Sequence, residues 1–270
     1  MNKNKILAAT IALLCSVSAN ADTTMRYTTT DNSQQPGVIY VTDDQLRADN
    51  VGESQWVLYE RQSNRLFFVD DSKQQYFIFD EQQIQSLSNS LGQVSQQLDD
   101  ALADLPPAQR AQAQALMQSM LSQSSGAFEQ IKETTEIRRT GRNDEVAGVD
   151  CEWVDVSVNE QLESQLCLAE HNALDLNGSE TATVRAMADF GQQLIDTVQD
   201  SLGGILPVDF SAGTSDIVQS LKRGIPVKMI QNDSASQDVA SLTSIDHNTI
   251  DSSLLQIPDH YKQEQMDLDF

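Results

Sequence analysis

From residue 22 to residue 80, apolar residues come in short runs broken by turn formers, and this pattern predicts a β meander. The expected strands are Met25 to Thr30, Val38 to Thr42, Gln45 to Asp49, Gln55 to Arg61, Leu66 to Asp70 and Tyr76 to Asp80. Pro36-Gly37, Asp43-Asp44, Gln62-Ser63-Asn64 and Asp71-Ser72-Lys73 supply the turns. Trp56-Val57-Leu58-Tyr59, Leu66-Phe67-Phe68-Val69 and Tyr76-Phe77-Ile78-Phe79 do not alternate. A sheet with one wet face would alternate, so both faces of these strands need a cover.

At Glu81 the apolar spacing changes from about 2 to about 3.6 residues. Ile84, Leu87, Leu91, Val94, Leu98 and Leu102 form a helical stripe that Pro106-Pro107 ends, and a second helix is expected from Pro107 to Ser122. A later helix is expected from Ser179, as N-cap, to Leu202, with Val184, Met187, Phe190, Leu194 and Val198 as its apolar face. These helices are the expected covers. Between and after them the pattern predicts strands at Glu133 to Arg142, Glu145 to Ser157, Ser164 to Ala169, Pro226 to Gln231 and Ala240 to Asp246. A short helix near Asp216 to Lys222 and a last short segment at Leu254 to Ile257 complete the pattern. No internal repeat or linker interrupts it, so residues 22–270 are expected to form one α+β domain with a helical insertion at about 81–123.

The first 21 residues read as a secretory signal peptide. Lys3 and Lys5 precede an apolar stretch from Ile6 to Val17, and Ala19-Asn20-Ala21 is a small-x-small cleavage motif. Cleavage after Ala21 would place the protein in the periplasm. Leu14 stands where lipidation of Cys15 would want a small residue. No other stretch reaches the roughly 20 apolar residues of a membrane helix. Loss of the leader removes Cys15 and leaves Cys151 and Cys167, an even pair in an exported chain and therefore an expected disulfide. A hairpin turn centred on Asn159 would set the two cysteines directly opposite each other. It would also place Glu152, Val154, Val156 and Val158 on one face, with Leu162, Leu166 and Leu168 across from them, and Trp153 with the cysteines on the other.

Composition removes several function classes. The 270 residues are 39% hydrophobic and 21% charged, with 12 Gly and 6 Pro, which excludes collagen-like and disordered chains. Seventeen Lys and Arg against 40 Asp and Glu give a net charge of −23, so nucleic acid is an unsuitable partner. His171, His247 and His260 have no metal-ligand spacing and are expected at the surface. No nucleophile elbow or phosphate-binding loop occurs. Asp43-Asp44 and Asp70-Asp71 fit turns better than paired catalytic carboxylates, since neighbours on a strand face opposite ways. Nothing points to an enzyme or to a cofactor. Met117, Met120 and Met187 fit core filler, or an adaptable lining for an apolar ligand.

Several stretches, in order, resemble a bacterial exported family, the domain-of-unknown-function 4412 group. They are Met25-Arg26-Tyr27, Val38-Ile39-Tyr40-Val41 with Leu46-Arg47, and Trp56-Val57-Leu58-Tyr59 leading to Leu66-Phe67-Phe68-Val69-Asp70. Val146-Ala147-Gly148-Val149-Asp150-Cys151, Gly224-Ile225-Pro226-Val227-Lys228 and Ser241-Leu242-Thr243-Ser244-Ile245 follow. That group is similar in architecture to periplasmic lipoprotein carriers of the LolA/LolB type. The resemblance implies a curved antiparallel sheet, an unclosed half-barrel, covering inserted helices, with an apolar cavity between them. It implies no catalytic residues. The expected function is a soluble periplasmic protein that holds a lipid, acyl chain or other apolar ligand, with Trp56, Leu58, Phe68, Ile78, Leu116, Met120 and Phe190 as candidate lining. The alternative is a non-enzymatic envelope-stress or scaffold protein that meets a protein partner through its acidic surface.

Overall fold

The computed structural model describes residues 22–30, 37–52, 54–86, 135–158, 161–202, 220–232 and 237–264, with isolated positions 89, 106 and 109. Residues 1–21, expected to be a leader, most of the expected 81–123 insertion with Leu116, Met117 and Met120, the Asn159 turn position and most of the Asp216 to Lys222 segment lie outside the described residues.

The first meander is β1 (Thr23–Thr29), β2 (Val38–Val41), β3 (Gln45–Gly52), β4 (Gln55–Glu60), β5 (Arg65–Asp70) and β6 (Gln75–Phe79). A second meander holds β7 (Thr135–Val146), β8 (Val149–Val158), β9 (Gln161–Ala169), β10 (Ile225–Asn232) and β11 (Gln237–Asp246). Helix α1 (Gly178–Leu202) interrupts it between β9 and β10, and β12 (Lys262–Gln263) follows. All twelve strands join one unclosed sheet in the order β12-β6-β5-β4-β3-β2-β1-β11-β10-β9-β8-β7. Every neighbouring pair is antiparallel except β12 with β6.

The two meanders meet where β1 pairs with β11, Met25 opposite Ile245. The pairing register shifts at Arg26/Tyr27 on β1, and again between Pro226 and Lys228 on β10. Such irregularities bend a sheet. In a flat sheet β7 would lie about 19 Å from β11, four strand spacings away. Instead their Cα atoms come within 8 Å, so this half is strongly curled. Val154, Val156, Leu166 and Leu168, with Ile137 and Met229, form a cluster of their own there.

The two-faced strands β4 to β6 are covered on both sides, as the missing alternation requires. Val57, Tyr59 and Leu66 pack in the main core with Ile84 and with Val184, Phe190 and Leu194 of α1. Trp56, Leu58, Phe67 and Val69 pack on the other side. The cover of that second side corrects the expectation that helices would supply it. The segment after β11 folds back over it and contributes Ile250, Leu255, Ile257 and Tyr261. Leu254 to Ile257, expected as a last short segment, includes the end of a 3-10 turn, Ser252–Leu255, capped by Asp251, whose carboxylate accepts the Ser253 N–H. This strap is tied down by the parallel pairing of β12 with β6 and by Tyr261, whose hydroxyl donates to Asp71 at 2.9 Å.

Two further expectations are corrected locally. Asn177, not Ser179, caps α1: its Oδ1 accepts the N–H groups of Ser179 and Glu180, and Glu180 Oε2 accepts the Asn177 N–H in return. The disulfide Cys151–Cys167 is present, with Cα atoms 5.4 Å apart. Its register differs from a turn centred on Asn159, because Cys167 pairs with Trp153 and the bridge therefore runs diagonally. A register shift between Val156 and Ser157 moves the hairpin off that symmetry. The face assignment holds for Val154, Val156, Leu166 and Leu168, which share one cluster, and for Cys151, Trp153 and Cys167, which share another, but not for Leu162, expected with the first group. Leu162 sits beyond the shift and is 43% exposed.

Candidate functional site

An apolar cavity of about 330 Å³ lies at the seam between the two meanders, under α1. Strand β1 gives it Met25, Tyr27 and Thr29, β2 gives Val38 and Ile39, and β3 gives Leu46 and Ala48. Val184 and Met187 of α1 form one wall, and Leu221, Ile225, Pro226, Met229 and Ala240 form another. The cavity is half enclosed and opens to the surface. Its volume is at the small end of the roughly 300–1,000 Å³ of small-molecule pockets.

The local causes are readable. Alternation along β1 turns Met25 and Tyr27 the same way, and the pairings of Met25 with Ile39 and Ile39 with Ala48 continue that row across β2 and β3. Residues at the seam are small or flexible: Ala48, Ala240 and Gly37, with a methionine from each of β1, α1 and β10. Gly224, just before β10, permits a close approach: a Cβ there would lie 2.5 Å from the carbonyl oxygen of Ala169. Tyr27 brings the one phenol of the lining, and its hydroxyl donates to the Pro226 carbonyl at 3.1 Å. Burial pushes that phenol well above its ordinary pKa, so it stays neutral. Thr29 and Asp49, whose carboxylate accepts from Arg47 Nε at 2.6 Å, complete the polar side chains of the lining; so few polar groups favour hydrocarbon over a peptide, whose backbone groups would go unpaired.

The candidate lining residues are split by the sheet. Trp56, Leu58 and Ile78 belong to the cluster under the strap. Phe68 packs against the main core, edge-on to Phe79 with ring centroids 5.2 Å apart, and Phe190 lies in that core 5.9 Å from the Tyr59 ring. None of these five lines the cavity; Leu116 and Met120 lie outside the described residues. Of the methionines singled out, Met187 does line it. Met25, Ile39, Ala48 and Met229 lie outside the sequence-expected lining; small or unbranched residues on neighbouring strands are the signal for Met25, Ala48 and Met229, and no local signal marks Ile39.

Two larger hollows, about 610 and 580 Å³, are polar surface clefts. The first lies among Ser63, Arg65, Asp80 and Gln85, and the second among Arg139, Asp150, Glu152, Glu170 and Arg223. The acidic pairs serve turns and ties. Asp44 accepts from Arg61 and Gln62, and Asp70 from the Lys73 N–H at 3.0 Å. Asp71 accepts from Trp56 Nε1 at 2.8 Å. Among the described residues, no group of His, Cys, Asp and Glu is arranged to hold a metal ion. His171 is buried rather than exposed, and its Nε2 has no partner. Burial first, then the Arg185 charge, lowers its pKa.

No family model matches the chain, and no curated protein matches it. Among solved structures it is similar to PNGF-II in a C2 crystal form, at TM-score 0.41 and 10% identity over 92% of this chain. The chain spans only 31% of that protein's length. It is also similar to an uncharacterized conserved protein from Thermus thermophilus, at TM-score 0.40 and 5% identity, covering 92% of this chain and 91% of that one. Likeness at this level says nothing of activity.

Proposed function

We propose that the protein is a periplasmic binding protein that holds an apolar ligand, a lipid or a single acyl chain, in the seam cavity. The observation that carries the reading is the cavity itself: half open, apolar, and walled by methionines from three separate elements. Methionine adapts its shape at little energetic penalty, which suits ligands of varying length. The leader-like first 21 residues and the disulfide support export to an oxidising compartment.

The test is binding of the neutral fluorescent probe N-phenyl-1-naphthylamine, with native mass spectrometry for co-purified lipid. Met187→Trp and Ala48→Leu should each abolish probe binding while circular dichroism stays unchanged. Absence of both probe binding and co-purified lipid in the unmodified protein would overturn the proposal and favour a scaffold role.

A further inference from the structure

The seam cavity has two unlike ends. At one, Met25 and Val184 are 1% exposed, Ile225 2% and Leu46 5%. The start of α1 closes that end: the Thr183 hydroxyl donates to the Asp43 carbonyl in the β2–β3 turn at 2.6 Å. At the other end, Thr29, Val38, Asp49 and Ala240 are only half-buried. The strand register brings these four to one rim. Thr29 pairs with Ala240 and Val38 with Asp49, and the Tyr27 N–H donates to the Gly37 carbonyl between them at 2.8 Å. The hollow is a blind channel along β1, sealed near Met25 and open near Thr29.

Its dimensions fit one chain. Met25 and Thr29 are separated by about 13 Å along the strand. An extended hydrocarbon advances about 1.3 Å per carbon, from a C–C bond of about 1.5 Å and tetrahedral angles, so that length takes about ten carbons. The volume agrees. A methylene is close in size to a water, which has about 30 Å³ in the liquid, so the cavity of about 330 Å³ holds roughly eleven such groups.

The mouth is acidic. Asp49 stands on its β3 side, offset by its bond to Arg47. Asp238 is exposed and lies two residues before Ala240 on β11, so it shares that face one step further out. No Lys or Arg is among the lining residues. The cations beside them in sequence are engaged or turned elsewhere. Arg47 lies on the Trp56 ring, Lys228 is 5.7 Å from the centroid of the Trp153 ring, and Lys222 pairs with Asp189 at 2.9 Å. Arg26, between Met25 and Tyr27, falls on the opposite face, and Arg185 is exposed beside Val184, at the closed end. With 40 acidic residues against 17 basic ones, the field of the whole surface adds to that of Asp238.

We propose that the seam cavity takes one unbranched chain of about ten carbons tail-first, and that its acidic mouth selects an amphiphile with a positively charged head over one with an anionic head. This deepens the ligand-binding reading and rests on it. A head left at the rim stays hydrated, so no charge is buried. A fatty acid would set its carboxylate against Asp238, and a two-chain phospholipid would bring a chain that the channel has no room for.

The test is displacement of N-phenyl-1-naphthylamine from the full chain at neutral pH by alkyltrimethylammonium ions, n-alkanols and n-alkanoates of matched length, each below its micelle concentration. Within each series affinity should rise about fourfold per methylene and level off near ten carbons. At equal length the trimethylammonium ion should bind roughly tenfold more tightly than the alkanoate at low salt, and the gap should narrow in about 0.5 M NaCl. Asp238→Lys, at an exposed position, should close or reverse the gap and leave the level-off length alone. Val184→Ala, at the closed end, should lengthen the level-off chain by roughly one or two carbons and leave the head preference alone; Leu46→Ala serves at the same end if Val184→Ala does not fold. Equal displacement by all three heads, stronger displacement by alkanoates, or a gap that Asp238→Lys leaves untouched overturns selection at the mouth and keeps the cavity. Affinity that climbs steadily to the hexadecyl chain, or a level-off length that the closed-end variants do not move, overturns the blind channel. A protein that binds no probe at all overturns the ligand-binding reading and this inference with it.

Discussion

Removing the Arg47 side chain should release the strap. Arg47 stands on β3 with its guanidinium 3.9 Å from the Trp56 ring centroid and 6.0 Å from that of Tyr40. Nε donates to Asp49 Oδ1 at 2.6 Å, and Nη1 donates to the Leu254 carbonyl in the strap. The two side chains of the ion pair are 13% and 27% exposed, so solvent screens them only in part. A partly desolvated cation–π contact is worth about 1–2 kcal/mol. A charge-assisted hydrogen bond to a carbonyl is worth about 1.5–3 kcal/mol. The contributions share one side chain and do not add in full, so Arg47→Ala should cost about 2–4 kcal/mol. Arg47→Lys should recover less than half, because an ammonium cannot serve Asp49 and Leu254 together while lying flat on the indole. Urea denaturation gives the loss, and fluorescence of Trp56, buried in the native protein, should shift red as the strap lifts. A double-mutant cycle with Leu255→Ala then decides the cause. Coupling near zero, or a total loss below about 0.5 kcal/mol, would show that Arg47 does not hold the strap.

Three further outcomes can be checked on the same material. Replacing both Cys151 and Cys167 with Ala opens a loop of sequence separation 16 and should lower stability by about 3 kcal/mol, read as a lower urea midpoint. Gly224→Ala should destabilise by roughly 1–3 kcal/mol, since the new methyl meets the backbone of Ala169 and not a side chain that can swing away; an unchanged melting temperature would refute the close approach. Asp70 has its pKa lowered from 3.8 to about 2, first by the Ser72 hydroxyl and then by the Lys73 N–H and ammonium. Its stabilisation is therefore present above pH 3.8 and lost as pH falls toward 2, so Asp70→Asn should flatten the acid limb of a stability–pH curve over that interval.

What the sequence revealed was mostly local. Runs such as Trp56 to Tyr59 carry strand propensity and lack of alternation on their face, so both the strands and the need for two covers were legible. The disulfide followed from the count of cysteines, but its diagonal register depended on an irregularity between Val156 and Ser157 that no spacing rule reveals. The helix start was legible and misplaced: Asn177 and Ser179 are both good caps, and the reciprocal bond from Glu180, three residues after Asn177, was the unused clue. The seam between β1 and β11 joins residues more than 200 positions apart. Nothing local to either strand encodes that pairing, and the strap over Trp56 and Leu58 is non-local in the same way.

The location of the cavity has the same root. The aromatics of β4 to β6 stand out in the sequence because large rings dominate a hydrophobic pattern. Large rings fill space. Tyr59 meets Phe190, Phe68 meets Phe79, and Phe67 meets Tyr76, so the sheet is packed solid where they stand. A hollow requires the reverse: side chains too short to span the gap between sheet and helix, or too flexible to be fixed across it. Ala48, Ala240 and Gly37 meet the first condition, and Met25, Met187 and Met229 the second. Those residues look unremarkable one by one, and only the non-local seam brings them together. A search for apolar sites in folds of this kind should therefore weigh small residues and methionines on strands that pair across the seam above aromatic runs inside one meander.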